Sequence, residues 1–173
     1  MSFKPIPIIV PVPDWQQSAA HLGRTMDFTN DATNVLGMVR TGIKICTGSP
    51  LGKRSDGGVT AELHNIRDMW RGYEWHLSMY LMMLTAEVAK RPSTIKNRVI
   101  DPLKRVRQDS QAIYINAERT NEPWWFGEGF FHESHQAWLL REYPRDFKHH
   151  FPKAHHSLPM VWPPYEAWKR KVV

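Results

Sequence analysis

ELHNIRDMWRGYEWHLSMYLMMLTAEVAK (residues 62–90) settles the fold class, because Ile66, Met69, Trp70, Tyr73, Leu77, Tyr80, Leu81, Leu84 and Val88 recur at three and four residues. That spacing draws one apolar stripe along a helix, and it predicts a single helix from Glu62 to Lys90 closed by Arg91-Pro92. Arg67, Arg71, Glu74 and Ser78 fall on another face, where either arginine is placed to pair with Glu74. Met79, Met82 and Met83 read as packing.

Working outward, Pro123-Trp124-Trp125-Phe126-Gly127 forms an aromatic turn into a second helix over 128–142, which Tyr143-Pro144 ends. Here Phe131, Ser134 and Trp138 follow one stripe while Glu128, His132, His135 and Gln136 follow another, so two imidazoles, a carboxylate and an amide share a surface. A short helix is expected over 144–150, and from Phe151 the proline-rich tail should wrap the body as an irregular strap. At the other end, Pro5, Pro7, Pro11 and Pro13 make residues 1–13 an extended arm. Asp14 can cap a helix from Trp15 towards Arg40, bent or broken near Gly23 and Asp27–Asp31.

Residues 43–60 read as a mobile loop rich in Gly, Ser and Lys. Gly48-Ser49-Pro50-Leu51-Gly52-Lys53 lacks the four-residue gap between glycines that a P-loop requires, so a basic loop touching a phosphate backbone fits better. The polar stretch 93–122 holds one short helix near 98–111, with Lys96, Arg98, Lys104, Arg105 and Arg107 clustered in it. No repeated alternation indicates strands. The expected fold is all-α, one domain over 1–173, with an extended N-terminal arm and an irregular C-terminal strap.

Composition bounds the function. The chain has 173 residues, 42% hydrophobic and 23% charged, with no apolar run near the roughly 20 residues that cross a bilayer. The start is broken by prolines and lacks a small-residue cleavage site, so a monomeric protein of the cytoplasm is expected, with no membrane partner. Cys46 stands alone, which excludes an internal disulfide and a cysteine-rich zinc site. A net charge of +6, with 23 basic residues and eight tryptophans, favours a polyanionic partner that stacks on aromatic faces.

Four blocks, in order, resemble a known family. Pro11-Val12-Pro13-Asp14-Trp15, His64 with Met69-Trp70-Arg71-Gly72-Tyr73-Glu74, Pro123 to Glu128 with Phe131-His132-Glu133-Ser134-His135, and Leu158-Pro159-Met160-Val161-Trp162-Pro163 are similar to the pyrimidine-dimer DNA glycosylases, the endonuclease V type known from phage. The resemblance spans about residues 6–164, interrupted at 43–60 and 93–118. It implies a compact helical protein that binds duplex DNA, bends it and flips out a nucleotide, then excises a damaged pyrimidine using its N-terminal amine and a glutamate of the first helix. The chain departs from that pattern at Arg24–Thr33, where most of the family's cations are missing and Thr33 stands at the glutamate's place. It also starts about five residues earlier than such proteins, which sets its amine away from the expected pocket. The resemblance therefore carries the fold and DNA as target, but not the lyase mechanism.

The leading expectation is a DNA-acting enzyme whose pocket receives a flipped damaged or modified pyrimidine, with no cofactor. Tyr73, Trp124 and Trp125 would border the base, and His132, Glu133, His135 and Glu74 would supply proton transfer, with Asp27 or Asp31 in place of the lost glutamate. Arg24, Arg67, Arg71, Arg141, Lys53, Arg54, Lys104 and Arg105 would contact DNA. One alternative is base hypermodification without excision, in which a small-molecule donor binds beside the DNA. Another is a DNA-binding protein without catalysis. A third is a metal-dependent hydrolase using His132 and His135, or His149, His150, His155 and His156.

Overall fold

The computed structural model describes residues 8–25, 35–51, 61–91 and 100–160. It contains helices α1 (Trp15–Thr25), α2 (Val35–Cys46), α3 (Ala61–Trp70), α4 (Glu74–Ala89), α5 (Ile100–Asn116), α6 (Gly129–Glu142) and α7 (Pro144–Phe147), with no strand among the described residues. The all-α expectation holds.

Helix α4 is the hub, with α1, α2 and α5 packed against it. Its buried positions, including His76, Leu77, Ser78, Tyr80, Leu81, Leu84, Thr85, Glu87 and Val88, run around most of its circumference, as a helix enclosed on several sides requires. The polar ones are satisfied locally or by ion pairing: Ser78 donates to the Trp75 carbonyl and Thr85 to the Met82 carbonyl. Glu87 is fully buried, yet it receives hydrogen bonds from Gln16, Arg24 and Lys90. Burial alone would raise its pKa, but those two cations prevail and hold the carboxyl below the ordinary range. Gly23 permits this approach of α1 to α4, since a Cβ there would lie 2.5 Å from the Glu87 Cβ.

Three boundaries differ from the sequence reading. The expected helix 62–90 is two helices, parted by a turn at Arg71-Gly72 in which Gly72 takes φ 81° and Tyr73 N–H bonds the Trp70 carbonyl. Within the stretch expected to be helical from Trp15 towards Arg40, with a bend or break near Gly23 and Asp27–Asp31, α1 spans Trp15–Thr25 and α2 spans Val35–Cys46, so helix runs past residue 43, the expected start of the loop. The short helix near 98–111 extends to Asn116. The helix over 128–142 and its successor from Pro144 lie where the periodicity puts them.

Residues 8–14 carry no regular structure, as the prolines demand, but they are core: Ile8, Ile9 and Val10 are fully buried. An extended segment buried without a neighbouring strand must find side-chain partners for its backbone groups. Tyr80 Oη donates to the Ile9 carbonyl at 2.6 Å, and Ser18 Oγ both accepts from Val12 N–H and donates to the Val12 carbonyl. The Gln136 amide donates to the Pro11 carbonyl at 2.8 Å.

Candidate functional site

Two histidines complete the seating of the arm. His135 Nδ1 accepts the Val10 N–H at 2.9 Å, which puts that ring's hydrogen on Nε2. His132 Nδ1 faces the Val10 carbonyl at 2.8 Å and its Nε2 the Phe126 carbonyl at 2.5 Å. One turn of α6 thus brackets both backbone groups of Val10. The rings are 2% and 0% exposed and pack on Phe131. The face of α6 carrying His132 and His135 is buried with Phe131, Leu139 and Leu140, while Glu128 and Glu133 are exposed, so the imidazoles and these carboxylates do not share one open surface.

Glu133 lines a cleft of about 520 Å³ together with Val12, His21, Gln136, His150 and Lys153. Across it, His21 Nδ1 and His150 Nδ1 stand 2.7 Å apart, a hydrogen bond between two imidazoles carried by α1 and by the turn after α7. Phe151 packs on His21 and Phe147 on His150, with centroids at 5.0 and 5.5 Å. Partial burial, and then the neighbouring His150, lower the His21 pKa from its ordinary 6.5. Nothing in the sequence singles out His21: its partner lies 129 positions away.

The predicted phosphate contacts divide into cations engaged by other described residues and cations exposed without such a partner. Arg24 pairs with Glu87, Arg71 with Asp68, and Arg67 donates to the Ser49 carbonyl, so neither Arg67 nor Arg71 makes the expected pair with Glu74. Glu74 instead accepts the Gly72 N–H at 3.1 Å. Arg141 donates to the His156 and Leu158 carbonyls and ties the tail to α6. Lys104 and Arg105 are exposed on α5. Arg105 joins Arg40 and Lys44 of α2 along a second cleft of about 420 Å³, lined also by Ile43, Leu51 and Val106, with Asp109 as the one carboxylate among the described residues. None of these three cations is ion-paired among the described residues. Arg40 and Lys44 escape sequence reading, because a charge on an apolar helix carries no sign of what packs beside it.

The aromatic candidates also separate. Trp124 is 47% exposed and Tyr73 half-buried, whereas Trp125 is fully buried, donating to the Met69 carbonyl and packing edge-on against Trp70. Trp15 stacks on Phe126 at 3.8 Å and donates to Glu122. His76, buried beside Trp15 and Trp75, has its pKa lowered by desolvation, with Glu122 opposing and Arg119 adding to the effect. Lys53, Arg54, Asp27 and Asp31 lie outside the described residues. Among the described residues, no three His, Cys, Asp or Glu side chains stand together as a metal set. No helix of the described residues is long and apolar enough to cross a membrane. Comparison with protein-family models, curated proteins and solved structures found no match to this chain.

Proposed function

We propose that this protein binds DNA through the phosphate backbone at the α2–α5 cleft and acts on a pyrimidine base of that DNA. The observation that carries this reading is the convergence of Arg40, Lys44 and Arg105, exposed and without an ion pair among the described residues, on one open cleft. Three exposed cations on one cleft form a positive potential that a repeating polyanion satisfies by releasing counterions. The family resemblance and the net charge of +6 point the same way.

The salt dependence of binding tests it. On duplex DNA the logarithm of affinity should fall with the logarithm of salt by about 0.9 for each phosphate contact. Replacing Arg40, Lys44 and Arg105 by alanine should flatten that slope by about 2 to 3. An unchanged slope, or no binding by the wild type at low salt, refutes the proposal. For the chemistry, a borohydride-trapped protein–DNA adduct marks excision, and an altered nucleoside mass without an adduct marks base modification.

A second reading, a DNA-binding protein without catalysis, is favoured by one observation: His132 and His135, the imidazoles that resembled catalysts, are occupied in holding the arm. It predicts salt-dependent binding with neither adduct nor altered nucleoside.

A further inference from the structure

At the 520 Å³ cleft His150 is exposed and His21 partly buried, and His150 Nε2 lies 3.5 Å from Thr25 Oγ1, so water and that hydroxyl would satisfy surface imidazoles without a ring-to-ring bond. Instead the two Nδ1 atoms converge to 2.7 Å from elements far apart in the chain, and aromatic rings brace both. We propose that His21 and His150 are a proton-transfer pair, and that the cleft they line with Glu133 receives the pyrimidine ring of the DNA substrate. This inference rests on the DNA-acting reading given above.

The hydrogen count shows why such a pair is useful. Two neutral imidazoles hold two hydrogens on four nitrogens. With one hydrogen between the Nδ1 atoms, one outer Nε2 keeps its hydrogen and the other keeps a lone pair. The site is then general base and general acid at once. A proton taken from the substrate at the bare Nε2 displaces the Nδ1 hydrogen to the second ring. That ring releases its own Nε2 hydrogen to the substrate or to water. No net charge is left, and the rings finish as the mirror-image tautomers. Partial burial, and then the neighbouring His150, lower the His21 pKa and so disfavour the charged form of that ring.

The surroundings suit a nucleobase. Val12, Phe151 and Ala154 present apolar surface, and Glu133 can accept an exchangeable N–H from a base edge. Lys153 and His155 lie on the same lining, available to a 5′ phosphate. The cleft volume falls in the general range of small-ligand sites. The wall is rigid by construction, because Val12 is held by Ser18, and its neighbours by His132, His135 and Gln136. The arm-clamping histidines are therefore positioning residues for this cleft.

Side-chain NMR of the full chain carrying nitrogen-15 histidine provides the test, with dTMP and dCMP as probes and deoxyribose 5-phosphate as the baseless control. Millimolar nucleotide should shift the ring signals of His21 and His150 while the sugar phosphate leaves them in place. His150→Asn, checked by thermal melting and paired with His150→Gln in case it misfolds, should weaken nucleotide binding about tenfold. In the nucleoside mass assay, His21→Asn should lower turnover about a hundredfold while the salt slope of DNA binding stays wild type. Ring signals unmoved by either nucleotide, or moved equally by deoxyribose 5-phosphate, overturn the proposal. If the wild type shows no salt-dependent DNA binding, the DNA reading fails separately, and the ring shifts still decide whether the cleft takes a base.

Discussion

His135→Phe separates a structural histidine from a catalytic one. Phenylalanine preserves a flat ring against Phe131, whose centroid lies 4.1 Å from that of His135, but it removes the acceptor for the Val10 N–H. Val10 is fully buried, so water cannot replace the lost partner. An unsatisfied buried donor costs about 1–3 kcal/mol. Because the native Nδ1 bond is 2.9 Å long, this lies in the normal range for N–H hydrogen bonds, and a central value of about 2 kcal/mol is appropriate. For a chain of this size that corresponds to a melting temperature lower by roughly 4–8 °C. Urea denaturation should show a lower midpoint with an unchanged slope, since the native fold still buries the same surface. Amide exchange adds residue resolution: Val10 should lose most of its protection while amides in the middle of α4 lose only what global destabilisation explains. A loss below about 0.5 kcal/mol, within the range of surface substitutions, or unchanged exchange at Val10, refutes the assignment of His135 as an arm clamp.

Glu87→Ala leaves Arg24 and Lys90 without their shared carboxylate and should cost about 3 kcal/mol in denaturant unfolding, reduced if the two half-exposed cations turn out to water. A change under half that value would show that the pairing on α1 and α4 is ornamental. Stability should also fall with acid in two windows. His21 and His76 titrate below the ordinary 6.5 in the folded state, so the unfolded chain takes up protons first and stability drops as pH falls through that value. Glu87, held below its ordinary 4.5, contributes stability above that pH which is lost as its folded pKa is crossed. Thermal melts flat between pH 7 and about 5 would contradict the histidine part of this account. Gly72→Ala should cost about 1–2 kcal/mol from its φ of 81° alone, because no atom stands within 4 Å of the added methyl. A neutral result by chemical denaturation would mean that the α3–α4 turn relaxes to negative φ.

Much of the fold was legible because helical periodicity is local information. Leu77, Tyr80, Leu81, Leu84 and Val88 lie buried on α4 as their spacing requires, and Tyr143-Pro144 ends α6 by backbone sterics. The break at Gly72 was hidden for a physical reason: Trp70 and Tyr73 flank it three residues apart, so the apolar rhythm continues across the turn. Glycine at that point was the available signal, since an interior Gly weakens a helix.

The candidate site was less legible. His132 and His135 share a face by spacing alone, but whether that face meets water or protein depends on what covers it. The cover is the arm, a proline-rich segment with no strand beside it among the described residues, whose Val10 N–H and carbonyl are matched by side chains. Sequence by itself thus determined the helical class, the extended arm and the basic balance, since each follows from residue type and near-neighbour spacing. Only tertiary structure decided that two histidines of α6 became backbone partners, that His21 met His150, and that Arg40 and Lys44 met Arg105. Those meetings join residues far apart in the chain, and their positions are set by helix packing around α4 rather than by any pattern along it.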